Sequence, residues 1–108
     1  MSHRSVMVVD DEPGIALLCE RLLSAQGFTV SLHTDPRLAL DVLQRTRFDL
    51  LLVDIRMPEV SGFDVIQQAR EWQPDIAILA MTGFGTVETA IQALRRGVDG
   101  LLLKPFEK

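Results

Sequence analysis

The chain has 108 residues, enough for one domain around one core, and its hydrophobic fraction of 47% excludes a disordered polymer. Its net charge of −4 supplies no basic field, which speaks against direct binding of nucleic acid by this segment. The longest apolar runs, such as "LLLV" at 50–53, are far too short for a membrane-spanning helix.

Short apolar runs alternate with stretches of helical period. The first strand is predicted over 5–9, "SVMVV", and three acids follow it: Asp10, Asp11 and Glu12. After Pro13, Ile15, Leu18, Cys19 and Leu22 keep an i, i+3, i+4, i+7 spacing that predicts a helix with these four inward, stopped by Gly27. The run 28–32, "FTVSL", alternates, with Phe28, Val30 and Leu32 on one face, as an edge strand would. Asp35 and Pro36 read as N-cap and first helical residue, leading into Ala39, Val42 and Leu43.

A third strand is predicted over 49–53, "DLLLV", with Asp54 directly after it. The stretch from Gly62 to Trp72 puts Val65, Ile66 and Ala69 on one helical face, and Pro74 closes it. The fourth strand, "IAILAM" at 76–81, is followed by Thr82. Thr86 is expected to cap a fourth helix with Val87, Ala90, Ile91 and Leu94 inward, ended by Gly97, where Arg95 and Arg96 suit the C-terminal dipole. The last strand, "GLLL" at 100–103, runs into Lys104.

Alternating β and α with strands apolar on both faces predicts an α/β fold: an open five-stranded parallel sheet covered by helices on both faces. Right-handed crossovers and the amphipathic second strand favour the flavodoxin-like order 2-1-3-4-5. In such sheets ligands bind beyond the C-terminal strand ends, where Asp10, Asp11, Glu12, Asp54, Thr82 and Lys104 would collect. Carboxylates about 5 Å apart repel by roughly 3 kcal/mol per pair at an effective dielectric near 20, so that rim needs a cation. Mg²⁺ accepts one or two carboxylates plus water and phosphate oxygens. A carboxylate nucleophile, a metal, a lysine and a hydroxyl are the parts for phosphoryl transfer to aspartate. Glu12 reads as a helix cap and not as a ligand.

The ordered set "VVDDEP", "VDIRMPEVSG", "AMTGFG" and "LLLKPF" resembles the response-regulator receiver domain of two-component signalling over essentially the whole chain, 1–108. The resemblance implies that Asp54 is the phosphoacceptor, served by a sensor histidine kinase or a histidine phosphotransfer protein. It implies Mg²⁺ on Asp11 directly, on Asp10 mainly through water, on Asp54 and on the backbone carbonyl of Arg56. Lys104 would pair with Asp54 and then with the phosphoryl oxygens, Pro105 would hold that lysine, and Thr82 would draw the 82–86 loop inward. The same likeness implies a cytoplasmic switch that assists only its own phosphorylation and dephosphorylation. The lone Cys19 and the absence of an apolar stretch behind "MSHRS" agree with that location.

Two features depart from the family pattern. Leu101 stands where an aromatic residue usually couples to the threonine, so the switch is expected to be a loop shift allowed by Gly83 and Gly85. The chain stops at "LLLKPFEK", before the family's fifth helix. This predicts a fragment of a longer regulator, an output domain beyond Lys108, and a bare face that a second copy could cover as a homodimer. The helix 4–strand 5 side, around Ala93, Leu94 and Arg95, is the partner face that the resemblance suggests. His3 and His33 are expected at the surface, and Trp72 as packing at a helix end. The alternatives are a degenerate receiver used as a protein-interaction module and a Mg²⁺-dependent phosphohydrolase. The latter would want a second acid where Arg56 stands.

Overall fold

Apolar runs flanked by helical segments on either side can bury both faces only inside a covered sheet. Five of them form β1 Ser5–Val9, β2 Thr29–His33, β3 Leu50–Asp54, β4 Ala77–Thr82 and β5 Gly100–Leu103, all parallel, in the order β2-β1-β3-β4-β5. Between them lie α1 Pro13–Ala25, α2 Pro36–Arg45, α3 Gly62–Trp72 and α4 Val87–Arg95. The structure, a computed structural model, describes residues 4–55, 61–83 and 87–103, without the side chains of Val87, Thr89 and Ala90.

The core has two halves, one on each face of the sheet. Met7, Val9, Leu51, Val53, Ile78 and Ala80 meet Ala39 and Leu43 of α2, Val65, Ile66 and Ala69 of α3, and Ala93 of α4. On the other face Val6, Val8, Leu52 and Met81 meet Cys19 of α1, with Leu23, Phe28, Val30 and Leu32 around them. Helices on both faces, the edge position of β2 and its Phe28-Val30-Leu32 side agree with the sequence.

Three strands begin and end one residue later than the apolar runs suggest, and each shift has a local cause. The N–H of Phe28 donates to Leu23 O at the end of α1 (3.1 Å), and that of Ile76 donates to Gln73 O in the turn after α3 (3.1 Å). The side chain of Asp49 takes the Ser5 N–H at 2.8 Å, so the β1–β3 register starts one step further on, at Val6 and Leu50. In consequence Asp54 and Thr82 are the last residues of their strands and not the first of the loops. That stiffens both.

Two helices are rotated relative to expectation. In α1 the inward stripe is Ile15, Ala16, Cys19 and Leu23, and Leu22 is 56% exposed. In α4 Ala93 is fully buried, whereas Ile91 and Leu94 are 44% and 61% exposed. Since β5 is an edge strand, a helix beside it is supported on one side only and buries a narrow stripe. Ala93 is thus core, not partner surface. Val87 and Ala90, whose side chains were expected inward, and Thr86, expected as cap, fall outside the description.

Side chains tie the helix ends. Asp35 caps α2 by accepting the Arg37 N–H, and Ser61 and Asp64 form a reciprocal capping box on α3. Gly27 and Gly97 turn the chain out of α1 and α4 at φ of 96° and 89°.

Candidate functional site

Strand register builds the site. Val9 of β1 lies opposite Val53 of β3, so the next residues, Asp10 and Asp54, stand side by side at the strand spacing of about 4.8 Å. Asp10 continues the ladder, its N–H donating to His33 O at 3.1 Å, and its Oδ1 accepts the Glu12 N–H at 2.9 Å. That second bond turns the chain into α1. Asp10 is fully buried, Asp54 is 3% exposed and Glu12 lies at the surface. Oxygens of Asp10, Glu12 and Asp54 lie within 4.8 Å of one another.

Two buried carboxylates with a third at the rim are costly unless positive charge joins them. The donors are all hard oxygens from carboxylates, a set that suits Mg²⁺ or Ca²⁺ and not the soft metals. The residues present therefore fit the divalent cation expected at this rim. Which acids gather differs from the sequence expectation. Asp11 is half-buried and is not a member of the group, while Glu12 is. Glu12 does occupy the N-cap position of α1, but its side chain does not cap the helix.

Thr82, fully buried at the end of β4, pairs in register with Leu103. A side chain at Gly83 would meet open space. Leu101 lies opposite Ala80 and packs, half-buried, against the core half beneath α2–α4. The strand position at which an aromatic was missed is thus filled by an aliphatic core contact. Arg56, Lys104 and Pro105 lie outside the described residues, as do Phe84, Gly85 and His3.

Two contributors were missed in the sequence. Gly62 donates its N–H to Ile55 O at 3.0 Å, and a Cβ there would fall on the Asp54 carbonyl oxygen and 2.6 Å from Ile55 Cα. Only glycine lets α3 begin against the backbone that carries Asp54. The signal was available: a glycine at the first helical position directly after a Ser cap. His33, expected at the surface, is half-buried at the end of β2, with Nε2 2.9 Å from Ser31 Oγ. Burial pulls its imidazole below the ordinary 6.5.

A doubly wound parallel sheet with acids gathered at the β1/β3 switch point defines an α/β protein whose binding rim lies at the C-terminal strand ends and fits a divalent cation. Residues 6–108 match the response regulator receiver domain, and the chain belongs to that family. It is 35% identical over 109 residues to the transcriptional regulatory protein ZraR of Escherichia coli (strain K12), covering 99% of this chain and 25% of the relative. A response regulator from Burkholderia pseudomallei, solved with a phosphorylated aspartic acid, calcium ion and citrate, superposes with a TM-score of 0.89 at 31% identity, over 96% of this chain and 61% of that one. The response regulator TrrA from Thermotoga maritima, in complex with Mg(2+)-BeF, gives 0.84 at 27% identity, over 96% and 89%. The chain spans about a quarter of the length of the curated relatives it matches. Among the described residues no helix is long and apolar enough to cross a membrane.

Proposed function

We infer that this receiver domain is a phosphorylation switch whose phosphoacceptor is Asp54. The observation that carries this is the position of Asp54: a carboxylate 3% exposed at the end of β3, in line with the fully buried Asp10. Asp54 presents its oxygen to the phosphorus of a phosphohistidine on a sensor histidine kinase or a histidine phosphotransfer protein. The new P–O bond forms as the P–N bond breaks, and the departing imidazole nitrogen takes up a proton. Water later attacks the phosphorus, the P–O bond to Asp54 breaks, and inorganic phosphate leaves as the carboxylate is restored. Asp10, Asp11, Asp54 and the Arg56 carbonyl would hold Mg²⁺, which when bound neutralises charge on the phosphoryl oxygens.

The residues around Asp54 do the rest. Asp10 fixes the turn into α1 through the Glu12 N–H, and so sets the height of the acids above the sheet. Gly62 keeps the Asp54 backbone in place by its close approach. Thr82 offers its hydroxyl to the phosphoryl group, and Lys104, held by Pro105, would pair with the phosphoryl oxygens. The capture of Thr82 would move the segment after β4, and with it α4, whose exposed Ile91 and Leu94 form the face read by a partner. Cytoplasmic location and pairing with a second copy belong to the same proposal, and so does an output domain beyond Lys108, which the longer regulators support, since the chain covers about a quarter of them.

Incubation with acetyl phosphate and Mg²⁺ tests it by intact mass. One phosphoryl adduct is expected, lost in Asp54→Asn and in chelator. No adduct in the wild type would leave a degenerate receiver that binds partners without phosphorylation. Turnover of a phosphate monoester would point to a phosphohydrolase instead.

A further inference from the structure

We propose that α4 is a lever hinged at its C-terminal end, where Arg70 and the Phe63–Arg96 contact hold the turn into β5 against α3. The switch then swings the end of the helix next to β4 and leaves the turn in place. This rests on the switch proposed at Asp54 and Thr82. Contacts are distributed unevenly along α4. Among its described side chains only Ala93 is buried, and Glu88, Ile91, Gln92, Leu94 and Arg95 are exposed. Beyond Arg95 every residue of the turn is held. The Arg96 guanidinium lies 4.6 Å from the centroid of the Phe63 ring. Gly97 O accepts from Arg70 Nε at 3.2 Å and from Arg70 Nη2 at 2.7 Å. Val98 is buried in the core half beneath α2–α4, and the Asp99 N–H donates to Ile78 O at 2.7 Å.

The element that holds the turn is itself fixed. α3 buries Val65, Ile66 and Ala69 in the core, and Gly62 seats its first turn on the backbone of Asp54 and Ile55. Phe63 follows Gly62, so the turn after α4 is referenced to the strand end that carries Asp54. At the other end of α3, Arg70 also donates to Pro74 O and Ile76 O. Its planar fork of donors keeps one geometry, which a lysine ammonium does not. A push on the segment after β4 therefore meets little resistance along α4 and firm resistance at the turn. The motion that costs least is rotation about Gly97. At 1.5 Å per residue Ile91 lies about 9 Å and Leu94 about 4.5 Å from Gly97, so Ile91 travels roughly twice as far.

Amide chemical shifts of isotope-labelled protein in Mg²⁺, recorded before and after acetyl phosphate, read where α4 moves, while intact mass counts the adduct. Changes are expected from Glu88 to Leu94 and none at Gly97, Val98 and Asp99. Arg96→Gln removes the cation from the Phe63 ring at an exposed position, and Arg70→Lys keeps the charge but loses the fork. Both should carry phosphorylation-dependent changes into Gly97, Val98 and Asp99, the larger ones in Arg70→Lys. If circular dichroism shows that Arg70→Lys does not fold, Arg96→Gln decides. A folded variant whose turn stays silent removes its arginine from the hinge. Wild-type changes as large at Gly97 to Asp99 as at Glu88 to Gln92 overturn the hinge, and so does an α4 that does not respond in protein carrying the adduct. Absence of the adduct overturns the switch at Asp54 itself, and the hinge with it.

Discussion

At the scale of single residues, the site depends on atoms that are not chemical participants. Gly62 has no side chain to contribute, yet its missing Cβ is what allows α3 to start against Asp54 and Ile55. A methyl group there would collide with backbone, which cannot move aside as a flexible side chain would. Gly62→Ala is therefore expected to destabilise the fold by roughly 1–3 kcal/mol or more, in the manner of an overpacked core, and to displace Asp54. Urea unfolding reads the first effect. The rate of phosphorylation by acetyl phosphate, measured well below the melting point, reads the second. A variant as stable and as reactive as the wild type would mean that α3 can start elsewhere at no cost.

At the scale of elements, Arg70 at the end of α3 binds three pieces of chain that the strands alone leave separate. Its guanidinium donates to Gly97 O at 2.7 Å, to Pro74 O and Ile76 O at 3.1 and 2.6 Å, and to Asp99 Oδ2 at 2.9 Å. Asp99 Oδ2 also accepts the Ile78 N–H at 2.7 Å, so α3, the start of β4 and the turn from α4 into β5 are joined at one point. The Ile78 N–H foremost, with Arg70 adding to it, holds the Asp99 carboxyl below its ordinary 3.8. A depressed carboxyl pKa stabilises the fold in full above the unfolded value and loses that contribution as the pH falls through the folded one. Asp99→Asn should thus be less stable than the wild type near pH 7, with the gap closing as the pH falls below the ordinary 3.8 and through the lower folded value. The effect is small because half of the Asp99 side chain is in solvent. A gap that persists at acid pH would assign the effect to shape and not to charge. Little of this clamp was legible in the sequence, because an arginine on a helix gives no sign of reaching backbone 27 residues away. What could be read was whatever repeats: the apolar runs, the helical spacing of Val65, Ile66 and Ala69, and the acids that follow the strands. Strand ends were misplaced by one residue because the turn bonds of Phe28, Asp49 and Ile76 compete with the ladder and leave no mark on hydropathy. Helix 4 was misjudged for a related reason, since its spacing identifies an apolar face but not how wide a surface the edge strand offers it.

For the whole molecule, the acidic rim sets stability against function. The sheet brings Asp10 and Asp54 together, and two such charges cost roughly 3 kcal/mol at 4.8 Å with an effective dielectric near 20. Contacts of Asp10 and Asp54 within the protein offset part of that cost, and the core on both faces has to outweigh the remainder when no cation is present. Asp10→Asn removes one charge, while its amide oxygen can still accept the Glu12 N–H. The variant is accordingly expected to be more stable than the wild type in chelator, by about 1–3 kcal/mol. Added Mg²⁺ should reverse the order. Binding to the folded state alone contributes about 2.7 kcal/mol at one hundred times the dissociation constant, and the wild type gains it while Asp10→Asn gains little. Thermal melts of the two proteins across a Mg²⁺ series should therefore cross. Parallel lines, or a less stable Asp10→Asn in chelator, would mean that the strand-end acids are balanced within the protein itself and that their repulsion is not what the cation relieves.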